Sequence, residues 1–417
     1  MSTSATHTPK HFHLPTRQVA FLILVASLGY FVDIYDLLVF SIVRIPSLKA
    51  IGVKADDIKA MGVSIINWQM FGLLLGGLLW GIIGDKMGRI KVLFGSILLY
   101  SIANFLNSWV TSVDQYIIVR FVAGVGLAGE LGAGVTLVAE AMKKEKRGYG
   151  TMIISVIGLF GAAAANFVAK DWDWHVAYRV GGGLGILLLI LRLGTYESGM
   201  FKSIESRSGI SKGNFIKLFT NWGRFKKYLF CILIGAANWY VIGVLVTLSP
   251  EFGKHLHSTQ PLSAGDGIFY TYLGISIGGL AAGLFSQFTR SRKLTVLVFM
   301  LISAASVAVY LTSQGITPGK FLWVCLFMGF GVGYWPIFVT IPAEQFGTNL
   351  RATVTTTVPN FIRASLIPIN SVFTILCVKY DWITAGYIMM GVLTLIGLFA
   401  LSQLKETFTK DLDFLEE

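Results

Sequence analysis

Twelve apolar stretches of roughly 20 residues follow one another along this 417-residue chain, each long enough to cross the ~30 Å of hydrocarbon in a bilayer as a helix. They lie at 19–43, 62–83, 91–110, 115–139, 149–169, 176–194, 227–249, 267–288, 294–313, 320–342, 353–377 and 382–403. At that depth no water is available to backbone N–H and C=O groups, so each stretch must satisfy its own hydrogen bonds by forming a helix. The expectation is an all-α membrane protein with twelve transmembrane helices. Charged residues make up 13% of the chain against about 25% in soluble domains, which excludes an ordinary globular enzyme. The first apolar run contains Asp33 and Asp36 and is followed by no small-residue cleavage site, so it reads as a first span and not as a signal peptide.

The formal charge of +12 sits mainly in the short connections between apolar runs. With the N-terminus inside, 23 Lys and Arg fall on the cytoplasmic side and 8 outside, the distribution that orients membrane proteins. Both termini are therefore expected in the cytoplasm, and the setting to be a bacterial cytoplasmic membrane. No basic patch interleaved with aromatics is present, so nucleic acid is not an expected partner. Cys231, Cys325 and Cys377 stand alone in apolar runs and read as packing residues, with no metal site or disulfide framework implied.

A polar stretch at 195–226 divides the spans six and six. The expected organisation is a tail at 1–18, a bundle at 19–194, a central loop at 195–226, a bundle at 227–404 and a tail at 405–417. Glu140 is followed seven residues later by Arg147, and Glu344 is followed seven residues later by Arg351, an offset of 204 that marks an internal repeat. After span 2 the chain reads G-I-I-G-D-K-M-G-R-I-K from Gly81 to Lys91. After span 8 it reads G-L-F-S-Q-F-T-R-S-R-K from Gly283 to Lys293, with Gln287 in the place of Asp85.

The charged knot at Gly81–Lys91, repeated across two six-span halves, resembles the loop 2–3 motif of the major facilitator superfamily of transporters. Within that superfamily, Asp33-Ile34-Tyr35-Asp36 resembles the span-1 motif of aromatic acid–proton symporters, with Ile34 in place of a glycine. Tyr196-Glu197-Ser198 resembles the sugar-porter motif after span 6 with its prolines missing. The proline of the drug-antiporter span 5 is absent. The resemblance implies two pseudo-symmetric six-helix bundles and alternating access. It favours proton-coupled uptake of a small anionic or zwitterionic organic metabolite over efflux of an amphiphilic or chelating compound, and over a non-transporting nutrient receptor. No enzyme constellation and no cofactor is expected, and the working unit is expected to be a monomer in the lipid bilayer.

Ionisable residues inside spans are costly and mark function. Asp33 and Asp36, three residues apart on one helix face, are candidates for the proton site, because two close carboxylates in a low-dielectric setting cannot both ionise cheaply. Span 4 supplies Arg120 and Glu130. Its Gly124, Gly126 and Gly129 match a dinucleotide fingerprint, but with no strand before them they read as sites of close helix approach. Arg120 is expected to pair with Asp33 or Asp36, or else with Glu130, which is expected near mid-membrane. Arg363, a permanent cation in span 11, is the candidate for gripping a substrate carboxylate or phosphate, next to Asn360. Asn67, Trp68, Asn238, Trp239, Tyr240, Tyr270, Tyr334 and Trp335 are expected around the substrate. Asp85, Arg89, Glu140, Arg147, Glu344 and Arg351 are expected to gate the cytoplasmic side, with Asp85 meeting the N-terminus of span 11 and Arg89 reaching Glu140. The loop Lys170-Asp171-Trp172-Asp173-Trp174-His175 reads as an interfacial aromatic belt, and His255 and His257 as loop residues without a metal.

Overall fold

The computed structural model describes residues 16–142, 147–194, 215–408, 410 and 414. Among these, twelve helices are long and apolar enough to cross a membrane: α1 Arg17–Ala50, α2 Ile58–Met87, α3 Ile90–Asn107, α4 Val113–Gly134, α5 Met152–Asp171, α6 Trp174–Leu191, α7 Trp222–Val246, α8 Ala264–Thr289, α9 Arg292–Thr312, α10 Pro318–Gln345, α11 Thr353–Lys379 and α12 Trp382–Gln403. They form two six-helix halves, α1–α6 and α7–α12. Each predicted stretch falls within or close to one helix. α1 and α2 are longer than the apolar runs suggested, because residues beyond the hydrocarbon keep adding intrahelical hydrogen bonds.

Within a bilayer helices gain little from hydrophobic association with each other, so close packing has to hold them. Glycines provide it. A Cβ at Gly72, Gly76 or Gly124 would collide with the carbonyl oxygens of Phe121, Val125 and Gln69, respectively, so α2 and α4 approach to backbone contact. The second half repeats the device: Gly274, Gly278 and Gly329 face the carbonyl oxygens of Leu326, Phe330 and Thr271 between α8 and α10. Gly124→Leu is expected to cost on the order of 3 kcal/mol or to block folding, whereas Gly183→Ala, with nothing within 4 Å of its Cβ position, is expected to be neutral. Thermal unfolding of the detergent-solubilised protein checks the contrast.

Several helices break mid-course, and the breaks follow the internal repeat. α4 is interrupted at Ala128 and α10 at Val332, 204 residues on. α5 is interrupted at Phe160 and α11 at Ser365, close to the same offset. α7 breaks after Leu233 and then unwinds into a π-helical stretch at Val241–Val246. A break frees carbonyl groups, and buried ones need donors. Asn360 Nδ2 donates to the Ala128 carbonyl (2.8 Å) and Tyr334 Oη to the Ile234 carbonyl (2.8 Å). Tyr240 Oη donates to the Gly386 carbonyl of α12 (2.8 Å).

The turn from α2 to α3 passes through Gly88 at φ 101°, and the equivalent turn from α8 to α9 through Arg290 at φ 52°. Both have positive φ but differ in ψ, 156° at Gly88 and 34° at Arg290, so the second half turns by a different, left-handed helical conformation that a side chain tolerates only with strain.

Candidate functional site

α1 delivers both carboxyls to the interior, and the structure separates their partners. Asp36 Oδ1 accepts from Arg120 Nη1 at 2.9 Å, and the Asp36 carbonyl accepts from Arg120 Nη2 at 2.9 Å, a pairing wholly within the first half. Asp33 Oδ2 accepts from Arg363 Nη2 at 3.2 Å, which ties α1 to α11 across the two halves. Both carboxyls are fully buried. Arg363 Nη1 also donates to Asn360 Oδ1 at 3.3 Å. Behind Arg120 the Tyr178 ring stands 5.6 Å from its guanidinium carbon, Tyr178 and Tyr116 share a hydrogen bond of 2.7 Å, and Tyr116 Oη donates to Ser47 Oγ at 3.2 Å.

Glu130 pairs with Arg192 at the end of α6 and not with Arg120: Arg192 Nη1 donates to Glu130 Oε2 at 2.9 Å and to the Leu93 carbonyl at 3.3 Å. Arg192 is not among the residues singled out in the sequence. A lone acid in an apolar span requires a buried cation, since a charge left unpaired there costs several kcal/mol. That requirement was the available signal, and only packing identifies Arg192 as the cation that meets it. Gly29 of α1 leaves room for this pair, for a side chain there would run into Glu130 and Arg192.

Between the halves lies a small cavity of ≈ 20 Å³. The first half contributes Tyr30, Ile34 and Leu159; the second contributes Asn238, Trp239, Ile242, Tyr272, Ile275, Val332, Trp335 and Arg363. Asn238 Nδ2 and Oδ1, Trp335 Nε1 and Arg363 Nε are buried without a hydrogen-bond partner in the protein. Leaving such groups unpaired costs about 1–3 kcal/mol each, which a bound molecule with donors and acceptors would recover.

Of the expected substrate contacts, Asn238, Trp239, Trp335 and Arg363 line this cavity and the rest lie elsewhere. Trp68 is 45% exposed and packs edge-on against Phe71 and Phe121 on the outer surface. Its neighbour Asn67, turned ~100° on the helix, accepts from Asn370 Nδ2 at 2.9 Å across the halves. Tyr270 packs against Phe269, and Tyr272, ~200° further round α8, takes the cavity position. Tyr240 and Tyr334 line a separate pocket inside the second half, with Met300, Ser303 and Met390. Their hydroxyls and the Asn360 amide are committed to backbone carbonyls, those of Tyr334 and Asn360 at helix breaks and that of Tyr240 within α12.

Contacts join the halves at both ends of the cavity. At the end that carries the α2–α3 turn, Asp85 Oδ2 accepts from the Thr353 backbone N–H at 2.8 Å and from Thr353 Oγ1 at 2.6 Å. This seats a carboxylate on the positive N-terminus of α11. At the opposite end, Arg44 Nη2 donates to Glu251 Oε1 and Oε2 at 2.9 and 3.2 Å, and Asn166 Nδ2 donates to Asp266 Oδ1 at 3.3 Å. Glu344 is held by Arg292 at 3.2 Å, while Arg351 donates from Nε to the Ala343 carbonyl at 3.1 Å. The side chains of Arg89, Glu140 and Arg147 and the segment Tyr196-Glu197-Ser198 lie outside the described residues, and with them the expected Arg89–Glu140 contact.

Comparison with known proteins gives a consistent setting. The sequence profile of the Major Facilitator Superfamily matches residues 19–365. A putative metabolite transport protein of Haemophilus influenzae is 27% identical over 81% of this chain and 84% of its own length. The putative niacin/nicotinamide transporter NiaP of Bacillus subtilis is 25% identical over 88% of this chain and 94% of its own. The solved structure of the proton:xylose symporter XylE of Escherichia coli superposes with a TM-score of 0.71, covering 96% of this chain and 98% of that one. At 18% identity the likeness to XylE is one of fold.

Proposed function

The chain belongs to the major facilitator superfamily of membrane transporters, and from that premise we propose that it carries a small carboxylate-bearing metabolite into the cell together with a proton. The observation that carries this reading is the Asp33–Arg363 pair, which spans the two halves and has Arg363 on the cavity wall. A substrate carboxylate at Arg363 competes with Asp33 for the same guanidinium. A buried carboxylate that loses its cation is strongly destabilised and takes a proton instead. Binding of the anion and protonation of Asp33 therefore favour each other, which is what coupling requires.

The aromatic lining from Tyr30, Trp239, Tyr272 and Trp335 suits a planar ring, and Asn238 offers both a donor and an acceptor to a ring nitrogen or hydroxyl. A small aromatic or heteroaromatic acid fits these groups, and the name of the B. subtilis relative is in keeping with it. By the distribution of basic residues, the α2–α3 end faces the cytoplasm and the Arg44–Glu251 end faces outward. With contacts at both ends, the arrangement corresponds to an occluded intermediate of alternating access.

The test is uptake of radiolabelled nicotinate, with amino acids, nucleosides and iron chelates for comparison, into proteoliposomes under an imposed pH gradient. External acid is expected to drive accumulation of a carboxylate above its equilibrium level, and a protonophore to collapse it. Accumulation of every compound at the same level with and without the gradient sinks proton coupling.

A further inference from the structure

Asp33 and Asp36 are fully buried, and the outward end above them is closed by Arg44 and Glu251. A proton that reaches them in this state has to pass through protein. α3 carries buried polar residues at Tyr100, Ser101, Asn104, Asn107 and Ser108, spaced so that they share one helix face. That face turns toward α1 and α6. Gly181 of α6 lies against Asn104 and Tyr35, and Gly185 lies against Ser101 and Tyr100, so α6 packs closely on this face along a seam.

The polar atoms on this face lack protein partners. Neither the nitrogen nor the oxygen of Asn104 or Asn107 is hydrogen-bonded within the protein, nor are Tyr100 Oη and Ser101 Oγ. Six such atoms lie along about two helical turns, and each would cost about 1–3 kcal/mol if left without any partner. Buried polar groups without protein partners are the groups that internal water satisfies.

The seam also has two informative ends. Outward, it reaches Ser108, whose Oγ accepts from Nε of the exposed Arg179 at 3.4 Å. Inward, Asn104 lies with Tyr35, the residue before Asp36 on α1, against Gly181. One oxygen of each aspartate, Asp33 Oδ1 and Asp36 Oδ2, is without a partner. The charged and titratable groups facing the seam are thus Arg179 at the mouth, Asp36 with Arg120, Asp33 with Arg363, Glu130 with Arg192, and the phenols of Tyr35 and Tyr100.

We propose that the α3–α6 seam holds a file of water molecules that conducts protons from the external surface to Asp36 and Asp33, separate from the substrate cavity. A proton enters at the Arg179 end, each water passes one on along its hydrogen bonds, and a carboxylate oxygen of an aspartate takes the last. The Glu130–Arg192 pair closes the inner end and prevents a leak. This rests on the proton-coupled reading above, since a uniporter would have no use for such a path.

The experiment has two arms on the full chain. Synchrotron hydroxyl-radical labelling in ¹⁸O-water of the substrate-free protein is expected to mark Tyr35 and Tyr100 about tenfold faster than the equally buried Phe252, because bound water is the local radical source. Equal labelling of all three overturns the water file, whatever the coupling. In proteoliposomes, the Asn104→Leu/Asn107→Leu double variant is expected to slow acid-driven nicotinate uptake about tenfold while nicotinate exchange at equal pH is unchanged, and Asn104→Ser/Asn107→Ser to restore the uptake. Uptake that persists in the leucine variant, or uptake and exchange falling together in both variants, overturns the conduction role. Wild-type protein indifferent to the gradient defeats the coupling reading, and conduction with it, and the labelling arm alone then judges the water.

Discussion

Asp33→Asn is expected to abolish acid-driven accumulation, a loss of about 100-fold or more in the accumulated ratio, while exchange of substrate across the membrane continues. Asparagine keeps the size of the side chain and can still accept from Arg363, but it neither carries the charge that competes with substrate nor binds the proton. With its competitor weakened, Arg363 is expected to hold the carboxylate more tightly, so the apparent affinity in exchange should rise. Asp36→Asn is expected to behave differently. Both terminal nitrogens of Arg120 are bound to Asp36, one to the carboxylate and one to the carbonyl, and removing a buried partner charge typically costs about 3–5 kcal/mol. That variant should lose melting temperature and yield before any question of coupling arises. Uptake assays paired with thermal unfolding separate the two aspartates. An Asp33→Asn protein that still concentrates substrate along a proton gradient would remove Asp33 from the mechanism.

Asp85→Ala and Arg44→Ala are expected to shift the conformational equilibrium in opposite directions. Asp85 grips α11 through two hydrogen bonds to Thr353, and Arg44 grips Glu251 through two of its own. Hydrogen bonds to charged groups contribute about 1.5–3 kcal/mol each, so losing either set changes the ratio of open to closed states by roughly tenfold or more. Loss of Asp85 opens the end that carries the α2–α3 turn, and loss of Arg44 opens the other. Spin-label distances across each end, or modification of cysteines introduced beside the cavity, would register the shifts. If both substitutions open the same end, the assignment of these contacts as opposed latches falls.

Much of the architecture was legible because hydrocarbon imposes a simple rule. Twelve runs of sufficient length, a polar divider and a repeated Glu–Arg spacing already imply twelve helices in two related halves, and the family profile agrees. The encounter of Asp85 with the start of α11 was also readable, since a carboxylate at a helix-ending turn seeks a positive helix terminus. Other contacts left no local trace. Trp68 and Tyr270 look like cavity residues in a linear reading because they adjoin polar or aromatic neighbours, yet one or two steps of ~100° around a helix turn a side chain away from the interior. The commitment of Asn360, Tyr240 and Tyr334 to backbone carbonyls depends on where helices break or press together, which the hydropathy pattern does not record.

What the sequence determined by itself is therefore the solvent and the repeat: the bilayer dictates helices of a given length, and the relation of the two halves shows in motif spacing. The partners of the buried charges were decided by tertiary structure alone. Asp33 meets Arg363 across 330 residues, Arg44 meets Glu251 across 207, and Glu130 meets Arg192 across 62. Each buried charge announces that it needs an opposite, but several candidates are chemically equivalent. The choice among them is made by which helices pack together and how each is rotated, and that rotation is set by glycine contacts and helix breaks distributed over the whole chain.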